Sequence, residues 1–340
     1  MRISPTNKPQ IFLTMGDPSG IGPEVIMKSM ASPEIKGLAI FIIIGDAGVL
    51  SRAAGNAFPG KTSVHCMVDK DEEIALKEDS LNIVDPGAPL ENIEPGVPTD
   101  EGAEKALGSL SAAIRLMRGS SDETPKAMVT APLNKERIAR IHPGFIGHTE
   151  YLQEAYSSEF VTMVLIGKTL CVVPVTRHIP LKDVPAQLTA DLIVNTLTQV
   201  IENRALICGT EDATIGVSAL NPHCGEGGKI GTEEIDVIIP AIEKVKSLYD
   251  KVEGPISADV IFYRALKKKI DIAVSMYHDQ GLSPFKMIDF DSGVNMTLGL
   301  GHVRTSPDHG TAFDIAGKGI ASPGSMEEAI KLAARAISSK

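Results

Sequence analysis

Ile11-Phe-Leu-Thr-Met-Gly-Asp-Pro-Ser-Gly-Ile-Gly-Pro-Glu24 opens on an apolar run, turns through the Gly16–Gly22 loop and enters a helix at Pro23. Glycine permits positive φ and close backbone approach, and proline suits the first turn of a helix. The stretch therefore reads as strand, loop, helix. Two roles for the loop stay open: a tight strand–helix turn, or a loop beside a ligand at the carboxyl ends of the strands. Its spacing is not the G-x-G-x-x-G dinucleotide fingerprint.

Outward from that stretch the same grammar recurs. Leu38–Ile44 is a continuous apolar run of the kind buried in a parallel sheet. Thr99 caps a predicted helix reaching about Arg118, and Ala127–Thr130 follows as a strand. Thr189 with Asp191 opens a helix through Asn203, Thr214–Ala219 is strand-like, and Glu233–Leu248 is amphipathic. Ser325-Met-Glu-Glu328 reads as a capping box before a C-terminal helix. This alternation means α/β layers. No Gly/Ser linker marks a boundary, which the pattern places loosely near residues 140–150.

With 340 residues the chain is long enough for more than one domain. A net charge of −10 argues against a nucleic-acid or anionic-membrane surface, but not against a small anionic substrate in a locally cationic cleft. The absence of Trp removes the best base-stacking side chain. No apolar run is long enough for a membrane span, and Met1–Gln10 is polar, so a cytoplasmic protein is expected. Cys66, Cys171, Cys208 and Cys224 have no C-x-x-C spacing and read as reduced thiols.

His178, His223 and His278 each follow an apolar run: Leu170–Val175, Ile215–Leu220 and Ile272–Met276. Three histidines just past strand ends either converge on a divalent metal with an open position or serve as surface and cap residues. Asp279 and Glu226 are candidates to orient them. Gly147-His-Thr-Glu150 starts a helix, with Thr149 as its cap or His148 and Thr149 as anion binders. Lys286, Asn295 and Arg304 add two cations and an amide, and Arg304 suits bidentate grip of a carboxylate or phosphate. Asp259 is a helix cap or a proton acceptor. The small residues from Ser306 to Pro323, with His309 and Asp314, form either irregular flanks of a short helix or a wrap for adenosine.

Five of these stretches together resemble the 4-hydroxythreonine-4-phosphate dehydrogenase family. They are Met15–Glu24, Gly147–Glu150, Asn221-Pro-His-Cys-Gly-Glu-Gly-Gly228, Tyr277-His-Asp-Gln-Gly-Leu282 and Arg304-Thr-Ser-Pro-Asp-His-Gly-Thr-Ala-Phe313. The Gly-Ile-Gly-Pro-Glu and His-Gly-Thr-Ala-Phe-Asp segments also resemble the isocitrate and isopropylmalate dehydrogenases. The resemblance implies their fold, with two α/β domains flanking a cleft. Residues 1–145 plus 308–340 would carry the cofactor loops, and 146–307 the metal and substrate residues and a dimer interface. It implies a metal on His178, His223 and His278, with His278 supplied by the partner subunit of a homodimer. It implies substrate binding by His148, Thr149, Lys286, Asn295 and Arg304, proton handling by Lys286 or Asp259, and NAD or NADP on His309, Gly310, Thr311 and Asp314. Zn2+ stands ahead of Mg2+, Co2+ and Mn2+.

The implied reaction is oxidation and decarboxylation of 4-phosphooxy-L-threonine to 3-amino-2-oxopropyl phosphate, in pyridoxal 5'-phosphate biosynthesis. Several positions depart from the family's pattern: Val260 for Thr, Gly301-His302 for Pro and an apolar residue, Arg177 for Thr, and Cys224 for Ala. Thr130-Ala-Pro-Leu-Asn-Lys135 resembles a sister group that oxidises 4-phospho-D-threonate or 4-phospho-D-erythronate. A phosphoacyltransferase on a related fold and a metal-dependent hydrolase are the more remote alternatives.

Overall fold

In the computed structural model of the chain, which describes residues 2–3, 8–58, 63–68, 73–77, 80–120 and 124–338, the opening stretch is strand β1 (Gln10–Thr14), a glycine loop and helix α1 (Gly22–Ala31). The chain continues through β2 (Ile40–Ile44), α2 (Ala47–Ala57), β3 (Val64–Val68) and β4 (Leu81–Asp85). Next come α3 (Asp100–Gly119), β5 (Lys126–Thr130), α4 (Lys135–Ile141) and α5 (His148–Ala155). Thr99 caps α3 as the sequence predicts, accepting the Gly102 N–H at 3.0 Å. Capping satisfies one of the donors that a helix start leaves without an intrahelical partner.

A second run begins with β6 (Thr162–Ile166) and β7 (Cys171–Pro174), followed by α6 (Ala190–Glu202), which is capped by Thr189. Beyond them lie β8 (Ile215–Ser218), α7 (Ile239–Lys246), β9 (Val252–Ile256) and α8 (Ala258–Leu266). The run ends with β10 (Ile272–Ser275), α9 (His278–Asp289) and β11 (Val294–Leu298). The chain then closes with β12 (Val303–Pro307) and α10 (Gly324–Ser338).

Two compact units result, Met1–Ser158 with Leu300–Lys340 and Glu159–Gly299. The expected split at 145/146 and 307/308 therefore leaves α5 and β12 on the other side. Helix α5 packs through Tyr151 on a cluster of Ala103, Ala106, Leu107, Leu133 and Ile138, and Tyr151 Oη lies 2.8 Å from Ser111 Oγ. Strand β12 pairs in parallel with β5, Arg304 opposite Met128. Both attachments are long-range, so no local signal announces them.

In the first unit the parallel strand order is β12-β5-β1-β2-β4-β3. β1 and β2 have helix-covered neighbours on both sides, which is why Ile11, Phe12, Leu13, Ile42, Ile43 and Ile44 are all fully buried. In the second unit the order is β9-β8-β10-β7-β6-β11, with the first four parallel and the last two pairings antiparallel. Among the described residues no helix is long and apolar enough to cross a membrane.

Two local readings need correction. The predicted capping box fails because α10 already begins at Gly324; Ser325 lies inside it, buried, and its hydroxyl accepts the Asp308 N–H at 3.1 Å. The predicted Glu233–Leu248 helix is a π-helical turn, Glu234–Ile238, followed by α7. Pro240 has no N–H to donate to the carbonyl four residues earlier, and the ladder is reset ahead of it.

Candidate active site

In the second unit the three strands that precede the histidines are adjacent and parallel, in the order β8-β10-β7. His223, His278 and His178 therefore all follow carboxyl ends on one edge of one sheet. Side chains lace those ends together. The Val175 N–H donates to the Ser275 carbonyl at 2.8 Å, and both the N–H and the hydroxyl of Thr176 donate to the Met276 carbonyl, at 3.1 and 2.8 Å. This brings the His178 and His278 rings to 5.6 Å between centroids. The pairing is made within one chain, whereas the resemblance implies a His278 supplied by the partner subunit.

Buried Gln280 laces the next pair of strands. Its Oε1 accepts the Met276 N–H at 2.6 Å and its Nε2 donates to the Ala219 carbonyl at 2.8 Å. His223 then stands on the loop after β8 with its side chain 72% exposed. Asp279 Oδ1 is 2.6 Å from His278 Nδ1, so Nε2 is the ring nitrogen that could ligate, and Glu226 Oε1 is 3.9 Å from His223 Nδ1.

Among the described residues no three His, Cys, Asp or Glu side chains form a ready-made metal cluster. Imidazole nitrogen is nevertheless the donor type that suits a borderline divalent ion, and the three histidines follow three adjacent strands. Asp259 sits in the exposed first turn of α8, where its Oδ1 accepts the Ser257 hydroxyl at 2.6 Å. Burial first, then Glu234 and Asp259, push the neighbouring Cys224 thiol up from its ordinary value. Asp259 is thus close to the His223 loop. Lys286 lies on α9 with its ammonium 5.3 Å from the centre of the Phe290 ring, and Asn295 on β11 opposite Leu165.

The first unit gathers a different set. Arg304 on β12 is 2% exposed and donates to Thr130 Oγ1 at 2.6 Å, at the carboxyl end of β5. His148 begins α5. Burial, then the Arg304 guanidinium and the Lys135 ammonium, hold its imidazole well below the ordinary value of 6.5. Two cations around a neutral imidazole donor suit a phosphate or carboxylate. Thr149 is not the cap of α5: that position is Gly147, and Thr149 is the helix's second residue. Sequence reading missed Thr130 and Lys135 as site residues although it quoted their stretch. Their roles depend on where Arg304 and His148 lie.

A pH signature follows from His148. Its proton affinity is lower in the fold than in the unfolded chain, so below about pH 6.5 the unfolded chain takes up protons that the fold refuses. This component of stability is present above pH 6.5 and declines as the pH falls. Urea unfolding at successively lower pH is expected to show the decline in the wild type and a shallower one in His148→Gln. Equal slopes would mean that His148 titrates normally.

The glycine loop from Gly16 to Gly22 and the His309–Gly319 segment also meet in this unit. Gly16 has φ +72°, and a Cβ there would lie 2.2 Å from the Pro132 carbonyl oxygen. The Ile21 N–H donates to the Thr311 carbonyl at 3.0 Å, and a Cβ on Gly20 would lie 2.9 Å from that oxygen. Lys28 Nζ donates to Glu24 Oε1 at 2.8 Å and to the carbonyls of Gly319 and Ala321, at 2.9 and 2.8 Å. The end of the loop is thereby strapped to α1. A cavity of about 550 Å3 is lined by Gly20, Lys28, Arg52, Ile93, Pro95 and Gly317 among others. That size suits part of a dinucleotide. His309 Nδ1 is 3.0 Å from the Gly310 carbonyl, and Asp314 is exposed.

A family model described as pyridoxal phosphate biosynthetic protein PdxA matches residues 38–333. The chain belongs to that family. The 4-hydroxythreonine-4-phosphate dehydrogenase of Geobacter metallireducens is 40% identical over 338 residues, covering 97% of this chain and 96% of that protein. A solved enzyme of the same name from Klebsiella pneumoniae superposes with a TM-score of 0.80 at 33% identity, over 97% of this chain and 99% of that one. The fold also holds a different activity. A terephthalate 1,2-cis-dihydrodiol dehydrogenase from Burkholderia xenovorans superposes with a TM-score of 0.65 at 27% identity, over 96% and 97% of the two chains.

Proposed function

We propose that the chain is a metal-assisted, NAD(P)-linked dehydrogenase that oxidises and decarboxylates 4-phosphooxy-L-threonine to 3-amino-2-oxopropyl phosphate. The observation that carries this reading is the in-chain pairing of His178 and His278 on adjacent parallel strands, with His223 on the next. The name of the 40% identical relative supports this substrate over the two phospho-acids.

His178, His223 and His278 would hold the divalent ion, Zn2+ ahead of Mg2+, Co2+ or Mn2+. When bound, the ion supplies Lewis acidity that lowers the pKa of the substrate hydroxyl, and NAD(P) takes the hydride. Arg304, Lys135 and His148 offset the charge of a phosphate or carboxylate and fix which end of the substrate enters first. Thr149 lies one residue into the same helix, and Asn295 and Lys286 are the further substrate-binding candidates. Lys286 or Asp259 handles the proton. His309, Gly310, Thr311 and Asp314 would hold the adenosine side of the cofactor, beside the 550 Å3 cavity. A homodimer in the cytoplasm completes the reading, and exposed Val260, Tyr263, Met287 and Phe290 offer an apolar face for the second copy.

The test compares 4-phosphooxy-L-threonine, 4-phospho-D-threonate and 4-phospho-D-erythronate at matched concentration, following reduced cofactor by absorbance with and without EDTA. Fastest EDTA-sensitive reduction with the threonine derivative is expected. Preference for either phospho-acid would move the chain to the sister activity. Metal-dependent turnover with no reduced cofactor would sink the dehydrogenase reading.

A further inference from the structure

The loop that presents His223 has an unusual backbone. His223, Cys224, Gly225, Glu226, Gly227 and Gly228 all have positive φ, at 53°, 56°, 74°, 44°, 67° and 92°. Three of these residues carry side chains that disfavour the left-handed region, so the turn persists only where surrounding groups over-determine it. The group that does so is Glu234, 1% exposed, in the π-helical turn. Its Oε1 accepts the N–H groups of Leu220 and Asn221 at 2.8 and 2.7 Å, and its Oε2 accepts Asn221 Nδ2 at 3.0 Å. Asn221 Nδ2 also donates to Glu233 Oε2 at 2.7 Å. Gly225 closes against the same carboxylate, since a Cβ there would lie 2.8 Å from Glu234 Oε2.

We infer that Glu234 is a positioning residue: its buried carboxylate locks the left-handed turn and so aims the His223 imidazole at the metal. This rests on the reading of His223 as a metal ligand. Three donors converge on one carboxylate, a demand that a neutral amide cannot meet. Glutamine has a single acceptor oxygen, and its NH2 would face the Asn221 NH2 donor to donor. Thr176 laces the strand ends that carry His178 and His278, so loss of Glu234 displaces one ligand and leaves those two in place.

The probe is Co2+ titrated into metal-free protein and followed by its visible absorption, with far-UV circular dichroism as the check on fold. Wild type is expected to give a ligand-field band that His223→Ala weakens. Glu234→Gln is expected to keep wild-type secondary structure and to bind Co2+ ~10–100-fold more weakly, the usual effect of removing a group that orients a ligand. Wild-type affinity in Glu234→Gln, with His223→Ala weakened, would overturn the positioning role while leaving the metal site intact. No band in the wild type would overturn the metal reading itself, and this inference with it. Should Glu234→Gln not fold, Asn221→Ala decides in the same way: weaker binding supports the lock, and unchanged binding overturns it.

Discussion

Replacing His178 with alanine is expected to lower cofactor reduction by ~10²–10³-fold while leaving the fold intact. The size follows from the Lewis-acid contribution of a bound metal, several kcal/mol at about 1.4 kcal/mol per tenfold in rate. The fold survives because His178 is exposed and lies beyond β7, whose buried Val172 and Val173 are untouched. Thr176 also keeps its bonds to Met276. His278→Ala should match it in magnitude, and the double variant should be little worse than either single one, because ligands of one ion act as a unit. Additive losses would mean two independent roles. Full turnover by His178→Ala would remove that residue from the site.

How far the sequence foretold this site depends on which contacts are local. Thr99 and Thr189 are recognisable as caps because a cap acts within three residues, and both cap as expected. Each histidine can be seen to follow an apolar run for the same reason. What cannot be read is that β10 lies between β8 and β7, since chain order is β7, β8, β10. Only that insertion makes the three loops neighbours. Thr176, Gln280 and Glu234 do the lacing and look like ordinary polar residues. Their partners lie 100, 61 and 13–14 positions away. Ser325 misled for the converse reason: the local pattern of a capping box was present, but a long-range acceptor role toward Asp308 won. Helix α9 carries Gly281 and Pro284, residues that ordinarily punctuate a helix, so no local pattern announces it. The left-handed turn at His223 could be suspected only from its three glycines, at 225, 227 and 228.

Arg304→Met is expected to separate stability from function. In the wild type a guanidinium is held in a nearly sealed position, where burial lowers its pKa from 12.5 to about 10 and Glu150 partly restores it. The folded value is below the unfolded one, so the fold carries a penalty that is fully present at neutral pH and is relieved only above about pH 10. Such a penalty is repaid when an anion enters and shares the charge. Removing the cation removes the penalty, and a methionine of similar length fills the space. The variant should therefore unfold at a temperature no lower than the wild type across the neutral range. It should also lose the stabilisation that inorganic phosphate gives the wild type. Activity should go the other way, with kcat/KM lower by ~30- to 1000-fold, the equivalent of about 2–4 kcal/mol for losing a buried charged partner. Most of that loss should lie in KM, because on the proposed reading Arg304 would grip the substrate through an anion remote from the hydride. Arg304→Lys should recover only part of it, since an ammonium cannot keep Thr130 and also offer a planar fork. A variant that is destabilised yet binds substrate normally would make Arg304 a strut between β12 and β5.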